Sequence, residues 1–291
     1  MSTPAVTLDD IIAHKREEVA RAKAAMPLEQ VRELAHRQPA PRNFFAAVTR
    51  QFKNRSLVIA EIKRQSPSAG LIRPEYAGDA FAPEAIAAKY HSAGASAISC
   101  LTDERFFGGH LSYIARVKAA VTLPVLRKDF IIDPWQIYES RAHGADAVLL
   151  IGECLSEGLL IDLLILAQSL NLTTLLEVHD MDTLLRVRPH VGFPHPSYAL
   201  LGINNRDLST MRVDLAHTLR LAGLVEDPGI LVSESGIRSA DDLARLRDAG
   251  VRIALVGEHL MRAPDPGVAL RDMLKFVPPG QGPITNGRNA S

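Results

Sequence analysis

The 291-residue sequence has few of the features that mark secreted or membrane proteins. Cysteine occurs only at Cys100 and Cys154, each in or beside an apolar run. Buried, reduced thiols are the expected state, which favours a cytoplasmic location. No apolar stretch approaches the ~18 residues that a membrane-spanning helix needs. The first residues also lack the basic-then-apolar pattern of a signal peptide.

An excess of charge of either sign is absent as well. Lys plus Arg number 33 and Asp plus Glu number 33, so the formal net charge is zero. Proteins that bind nucleic acid or a membrane surface through their overall field carry an excess of basic residues, so neither partner is expected. Recognition of a phosphate group would have to depend on local features.

The sequence is rich in a regular alternation of apolar runs and helical patterns. The eight runs are 57–62, 97–101, 124–126, 147–151, 174–178, 200–203, 230–232 and 253–256. Strict alternation of strands and helices predicts a parallel sheet, and eight repeats favour a closed (β/α)8 barrel, the TIM barrel. An open, doubly wound sheet is the alternative, although it usually has fewer strands and a topological switch point.

About fifty residues precede this alternation. Thr7 followed by Asp9 and Asp10 is typical of a capped helix start, and a second short helix is expected after Pro27. We therefore expect an N-terminal helical extension over 1–50, packed on a barrel of 51–277. Segment 188–198 is expected to be a surface loop. The Pro- and Gly-rich tail 278–291 is expected to be disordered.

Charged and amide side chains stand at the carboxyl ends of several predicted strands. Glu61 and Lys63 end the first run and point to the same face, about 7 Å apart along the strand. Alone, they are explained equally well by a buried ion pair. Further polar groups follow later runs: Lys128, Glu177, Asn204 and Arg206. Their convergence on one rim is costly without a function, so we predict an active site there.

Glycines after the last two strands indicate a phosphate site. Ser235-Gly236 and Gly257-Glu258 lie in the two loops where such barrels usually bind phosphate, although glycine there can also serve only to form the turn. The ten histidines are scattered, the cysteines form no ligand pair, and neither Rossmann nor Walker spacing is present. Neither a metal nor a cofactor is expected.

Eight motifs together resemble the indole-3-glycerol phosphate synthase family of tryptophan biosynthesis. They include Ile-Ala-Glu-Ile-Lys-Arg-Gln-Ser-Pro-Ser at 59–68, Pro-Val-Leu-Arg-Lys-Asp-Phe-Ile-Ile-Asp at 124–133, Leu-Glu-Val-His-Asp at 176–180 and Gly-Ile-Asn-Asn-Arg-Asp-Leu at 202–208. The others are at 101–109, 144–151, 232–237 and 255–258, and the likeness runs from about residue 8 to 275.

The resemblance implies a carboxy-lyase without a cofactor. The reaction would close a ring in 1-(2-carboxyphenylamino)-1-deoxy-D-ribulose 5-phosphate, with loss of carbon dioxide and water, to give indole-3-glycerol phosphate. It implies the same barrel with an N-terminal helical extension, a small phosphorylated substrate, and tryptophan synthase as the next enzyme of the pathway.

The resemblance also implies roles for individual residues. Lys128 is the expected general acid of ring closure, Lys63 binds the substrate carboxylate and assists dehydration, and Glu177 and Glu61 are acid/base carboxylates. Asn204 orients substrate hydroxyls. Arg206 is expected to bind substrate and to hold the catalytic carboxylates. The apolar wall expected around the anthranilate ring consists of Phe107, Phe130, Leu149 and Leu208. The expected phosphate-binding residues are Ser66, Ser235, Gly236 and Gly257, with Glu258 beside them. Glu258 replaces the serine of some relatives, so its carboxylate is expected to turn away from the phosphate.

Two alternatives are less favoured. A related phosphate-binding barrel, phosphoribosylanthranilate isomerase, would have cysteine at the first strand end and aspartate as its acid, where this chain has Lys63 and Lys128. A barrel kept only as a binding module would be expected to have lost Lys128, Glu177 or Glu61, and none is missing.

Overall fold

The computed structural model describes residues 6–50, 55–207, 210 and 212–275. Its centre is a closed barrel of eight parallel strands, in which each strand pairs with its neighbours in sequence and the first pairs with the last. The strands are Leu57–Ile62 (β1), Ala97–Leu101 (β2), Val125–Lys128 (β3), Ala147–Ile151 (β4), Thr173–Val178 (β5), Ala199–Asn204 (β6), Leu231–Glu234 (β7) and Ile253–Val256 (β8). The predicted (β/α)8 barrel is confirmed, and the open sheet is excluded.

The helices lie between and around the strands. They are Leu8–Ala25 (α1), Leu28–Arg37 (α2), Phe44–Thr49 (α3), Pro83–Ser92 (α4), Glu104–Phe107 (α5), Ser112–Ala120 (α6), Pro134–Ala142 (α7), Glu157–Ser169 (α8), Met181–Val187 (α9), Ala216–Ala222 (α10), Ala240–Asp248 (α11), Glu258–Arg262 (α12) and Pro266–Leu274 (α13). Many begin at a residue whose side chain accepts a backbone N–H of the first turn, as at Thr7, Asp103 and Ser239. None of the described helices is long and apolar enough to span a bilayer.

Strands β3 and β7 each extend two residues past the carboxyl end of the predicted apolar run. Lys128 pairs with Leu101 as the last residue of β3, and Glu234 pairs with both Asn204 and Leu255 as the last residue of β7. In the sequence, a charged residue marks the end of an apolar run. In the structure, the strand continues through such a residue where its inner face borders the polar cavity. Short α5 and α12 and a small antiparallel ribbon between Gln65–Ser66 and Gly70–Leu71 were not predicted. The predicted loop 188–198 contains two 3-10 turns, Arg188–His190 and Pro196–Tyr198.

The core has two layers. Inside the barrel, side chains from alternate positions of the strands pack against one another, among them Ile59, Leu126, Leu175, Leu200 and Val232. The outward side chains of the same strands pack on the helices in a second, larger cluster. Alternation along each strand therefore assigns successive residues to the two layers.

The N-terminal helices run from one end of the barrel to the other. Leu8 and Ile11 of α1 lie at the carboxyl-end cavity, and α2 packs against α7. Phe44 and Val48 of α3 are fully buried among the inward side chains, so α3 closes the amino end of the barrel. Arg42, just before α3, donates to the carbonyls of Val121 and Leu123 at 2.7 and 2.8 Å.

The domain boundaries expected from the sequence stay predictions. Residues 51–54, beside the expected boundary at 50/51, and residues 276–291, which include the expected tail 278–291, lie outside the described part of the chain.

Candidate active site

A cavity of about 550 Å³ opens at the carboxyl ends of the strands. All eight strands or the residues directly after them contribute to its lining, and α1 contributes Leu8 and Ile11. The position follows from the topology, because parallel strands place all their carboxyl ends at one end of the barrel.

The predicted site residues that the structure describes all line this cavity. They are Glu61, Lys63, Ser66, Phe107, Lys128, Phe130, Leu149, Glu177, Asn204, Arg206, Ser235, Gly236, Gly257 and Glu258. Leu208, the remaining predicted residue, lies outside the described residues.

Lys128 occupies the middle of a buried group of carboxyls. Its Nζ lies 2.7 Å from Glu177 Oε2 and 3.4 Å from Glu234 Oε2, and its side chain is 12% exposed. Burial alone would lower the pKa of Lys128, but the neighbouring carboxylates, Glu177 first among them, raise it above its usual range. Lys128 is therefore an ammonium ion at neutral pH.

Glu177 and Glu234 are in opposite protonation states. Burial favours the neutral form of Glu177, but Lys128 and His179 outweigh burial and lower its pKa to about 2. Burial and the neighbouring Glu177 charge raise the pKa of Glu234 well above its usual value. Since two adjacent carboxyls do not both ionise easily, Glu234 keeps its proton and donates it in a hydrogen bond to Glu177.

Two glycines make room for these carboxyls. Gly202 on β6 separates β5 from β7, and a Cβ atom added there would overlap Glu234 Oε1. A Cβ atom at Gly257, directly after β8, would overlap Glu61 Oε1. A side chain at either position would therefore displace a carboxyl from the cavity.

Glu61 and Lys63 form an ion pair and also face the cavity. Lys63 Nζ donates to Glu61 Oε1 at 2.7 Å, and both residues line the same space as Lys128. A buried ion pair and a reaction site, which are alternatives in the sequence, therefore do not exclude each other in the structure.

Amide and imidazole groups orient Glu177. Asn204 Nδ2 donates to Glu177 Oε1 at 3.1 Å. His179 Nε2 lies 3.3 Å from the same oxygen, and its Nδ1 lies 3.2 Å from Glu153 Oε2. Burial lowers the pKa of His179, while Glu153 and Glu177 together raise it overall. His179 therefore contacts both Glu153 and Glu177.

Arg206 contacts the carboxylate of Glu258, and its expected hold on the catalytic carboxylates stays a prediction. Its Nη2 lies 3.5 Å from Glu258 Oε2, while Arg262 Nη2 lies 3.0 Å from Glu258 Oε1. The two guanidinium groups thus hold Glu258 at the edge of the cavity.

The loop after β7 has an unusual backbone. Ser235 and Gly236 both have positive φ angles, 66° and 82°. Asn205 fixes this loop by two hydrogen bonds: its Nδ2 donates to Ser235 O at 3.0 Å and to Ser233 Oγ at 3.1 Å. Successive residues of this kind turn backbone N–H groups toward one side, which suits an anion.

An aromatic wall lies on the lining of the same cavity. The Phe107 and Phe130 ring centroids are 6.0 Å apart, and the rings are tilted by 38°. Phe107 ends α5 and Phe130 follows β3, so the pair joins two neighbouring strand ends. Among the described residues, no group of three or more His, Cys, Asp or Glu side chains is arranged to hold a metal ion.

Comparison with known proteins identifies the family of this chain. A family model described as indole-3-glycerol phosphate synthase matches residues 8–273. The indole-3-glycerol phosphate synthase of Rhodospirillum rubrum is 45% identical over 268 residues, which cover 92% of this chain and 98% of that protein. That of Rhodopirellula baltica is also 45% identical, over 267 residues and the same shares of the two chains. The chain belongs to the indole-3-glycerol phosphate synthase family.

A solved structure supports the fold independently. The crystal structure of a 3-hexulose-6-phosphate synthase superposes with a TM-score of 0.59, covering 75% of this chain and 98% of that chain. At 16% identity, this likeness bears on the barrel alone.

Sequence reasoning missed Glu234 as a member of this indole-3-glycerol phosphate synthase site. The available signal was strand parity. Glu234 stands two residues after the inward-facing Val232, as Glu177 stands two after Leu175 and Lys128 two after Leu126. Asn205 was also missed, because it faces outward and acts on the loop rather than on the cavity.

Proposed function

We propose that this chain catalyses the indole-3-glycerol phosphate synthase reaction. It converts 1-(2-carboxyphenylamino)-1-deoxy-D-ribulose 5-phosphate to indole-3-glycerol phosphate, carbon dioxide and water. Beyond family membership, the observation that carries this proposal is the position of Lys128 in the cavity, with its Nζ 2.7 Å from Glu177 Oε2 and 3.4 Å from Glu234 Oε2. The reaction needs a cation beside the developing alkoxide, and an acid and a base for the loss of water.

Ring closure is assigned to Lys128. The ring carbon that bears the carboxylate attacks the ribulose carbonyl carbon, a carbon–carbon bond forms, and the carbonyl electron pair moves to oxygen. Lys128 stabilises the developing alkoxide by its charge and donates a proton to it. The raised pKa keeps Lys128 charged until the alkoxide, a much stronger base than the carbonyl, appears.

Decarboxylation is assigned to the cavity wall and Lys63. The bond from the ring to the carboxylate breaks, its electron pair restores the aromatic ring, and carbon dioxide leaves. Lys63 binds the carboxylate beforehand, and Phe107, Phe130 and Leu149 enclose the ring. An apolar enclosure favours the loss of charge in this step, since the carboxylate becomes a neutral gas.

Dehydration requires an acid and a base on the new five-membered ring. The hydroxyl group takes a proton and leaves as water while a neighbouring ring carbon loses a proton. We assign these transfers to Lys63, Glu61 and Glu177, with Asn204 orienting the substrate hydroxyls and Glu177. Overall the reaction takes up one proton, which restores the charge of Lys128 from solvent.

The phosphate is assigned to the loops after β7 and β8. Ser235, Gly236, Gly257 and Ser66 would supply donors, with the positive φ angles at Ser235 and Gly236 directing backbone N–H groups to the anion. Arg206 and Arg262 balance the charge of nearby Glu258, so this carboxylate does not oppose the phosphate. Leu208, in the apolar wall, stays a prediction.

The wider setting is also a proposal. We infer that the enzyme works in the cytoplasm and that tryptophan synthase uses its product. A pull-down of the chain with that synthase, compared with a mixture of the two purified enzymes, would distinguish a stable complex from sequential use of a free product.

A fluorescence assay tests the reaction. Purified protein mixed with the carboxyphenylamino sugar phosphate should produce indole fluorescence and an equal amount of carbon dioxide. The same protein given phosphoribosylanthranilate should leave it unchanged, since this substrate requires the isomerase. Isomerisation without indole formation would contradict the proposal.

A further inference from the structure

Lys15 of α1 is a fully buried lysine that has no part in the reaction as assigned. Its side chain is 0% exposed, and its Nζ lies 3.0 Å from Asp103 Oδ2, 2.9 Å from Asp129 Oδ1 and 2.9 Å from Glu18 Oε1. Burial disfavours the charged amine, but the three carboxylates raise the pKa of Lys15 above its usual range. A lysine is rarely buried so completely, and this one bridges two separate strand ends.

Each of the two aspartates also holds the backbone of an aromatic residue. Asp103 caps α5, and its Oδ1 accepts the N–H groups of Phe106 at 2.7 Å and Phe107 at 3.3 Å. Asp129 Oδ1 accepts the N–H of Phe130 at 2.8 Å. The two rings whose backbones are fixed in this way, Phe107 and Phe130, form the aromatic wall of the cavity.

Lys15 supplies the positive charge that lets these aspartates lie close together. Arg127 neutralises Asp129 from the other side, at 3.0 Å from Oδ2, and Thr102 Oγ1 donates to the same oxygen at 2.6 Å. For Asp103 Oδ2, the contact that the structure gives is the ion pair with Lys15. Without Lys15, two buried carboxylates would repel each other across the gap between β2 and β3.

We propose that Lys15 is a positioning residue that sets the spacing of Phe107 and Phe130 and thereby selects the aromatic part of the substrate. The inference rests on the proposed function, since it assigns the anthranilate ring to this wall. The proposal gives helix α1 a role at the site. Lys15, which lies outside the barrel, positions two aromatic rings in the cavity through its contacts with Asp103 and Asp129.

The test compares two ligands on the Lys15→Met variant. One is the substrate with its carbonyl reduced to an alcohol, which keeps the ring and cannot close. The other is ribulose 5-phosphate, which keeps the sugar phosphate and lacks the ring. Lys15→Met should bind the reduced substrate about tenfold to a hundredfold more weakly, because the rings lose their spacing, and ribulose 5-phosphate within about twofold of wild type.

The matched control is Lys23→Met. Lys23 is on the same helix and also binds a barrel aspartate, Asp133, at 2.7 Å, but this pair is exposed and does not touch the aromatic wall. This variant should bind both ligands as wild type does. Equal weakening of the reduced substrate in both variants would overturn the proposal, because any loosening of α1 would then have the same effect.

A double variant separates positioning from stability. Lys15→Met with Asp103→Asn removes the unbalanced charge while the amide oxygen still caps α5. It should unfold at a higher denaturant concentration than Lys15→Met and still bind the reduced substrate weakly, with a raised KM. Wild-type affinity in this double variant would show that Lys15 serves stability alone. Failure of the proposed function is recognised separately, because wild-type protein would then form no indole product.

Discussion

Each end of the barrel contains a buried ion pair between a lysine and a carboxylate, but the surroundings of the two pairs differ. At the carboxyl end, Lys128 and Glu177 form a buried ion pair that opens into a cavity. At the amino end, Lys118 and the fully buried Asp146 form a similar pair at 2.5 Å, and Asp146 also accepts the N–H groups of Arg42 and Val125. There, α3 closes the barrel with Phe44 and Val48.

The two ion pairs differ in whether they are enclosed by hydrogen-bond donors or border an open cavity. Asp146 is satisfied by backbone and side-chain donors, so its pair contributes to holding α3 and α6 on the barrel. At the other end, Lys128, Glu177 and the neutral Glu234 border the open cavity, and Glu234 Oε1 is among the buried atoms that lack a hydrogen-bond partner in the described structure. An ion pair becomes available for chemistry when the fold leaves room beside it.

Lys128→Ala should have the largest effect. Turnover should fall by about 10³- to 10⁴-fold, because both charge stabilisation and proton donation at the alkoxide are lost. The fold should remain, since the neighbouring carboxyls can take up protons. Steady-state rates and urea unfolding measure the two quantities. Lys118→Ala is the matched control: it should lose about 1–3 kcal/mol of stability and keep its turnover per folded molecule. Near-normal turnover of Lys128→Ala would refute its role.

Phe44→Ala should show the reverse pattern at the amino end. Truncation of this fully buried ring leaves a cavity, so the free energy of unfolding should fall by about 3–5 kcal/mol. Urea unfolding measures the loss, and kcat and KM of the folded fraction should match wild type. A lowered kcat without lost stability would show that the two ends are not separate.

The two neighbouring carboxyls should respond differently to amide substitution. Glu177→Gln removes a negative charge beside Lys128, and turnover should fall by about 10²- to 10³-fold. Glu234→Gln replaces a group that is already neutral, so the loss should be about tenfold or less. Rates at neutral pH distinguish them, with circular dichroism as the check on folding. The opposite order would mean that the proton belongs to Glu177.

The smallest effect concerns pH. The pKa of Glu177 is lowered to about 2 in the folded protein, against 4.5 as its usual value. A lowered pKa stabilises the fold above the usual value, and this contribution disappears as the pH falls toward the folded value. Wild type should thus lose about 2 kcal/mol between pH 6 and pH 3 that Glu177→Gln does not lose.

Urea unfolding at several pH values measures this difference. The gap between wild type and Phe44→Ala is the control, because neither side chain titrates, and it should stay constant over the same range. A constant gap for Glu177→Gln as well would contradict the assigned protonation state.

Much of the site follows from local sequence rules, and the misses have a common cause. Alternation along the first strand assigned Glu61 and Lys63 to one face, and the order of strands and helices assigned Lys128 and Glu177 to the same end of the barrel. Lys15 gave no such signal, since it reads as an ordinary polar residue of an amphipathic helix. Its partners Asp103 and Asp129 are far away in sequence, and only packing of α1 on the barrel brings them to 3.0 and 2.9 Å.

The sequence by itself determined the barrel, because periodicity and capping act over a few residues and require no knowledge of distant neighbours. It also determined which residues of a strand share a face, since alternation in a strand is a property of the backbone. Only the tertiary structure decided their charges. Glu177 and Glu234 are the same residue type on similar strand ends, yet one is ionised and the other neutral, because a protonation state depends on burial and on charges that the fold brings from other strands.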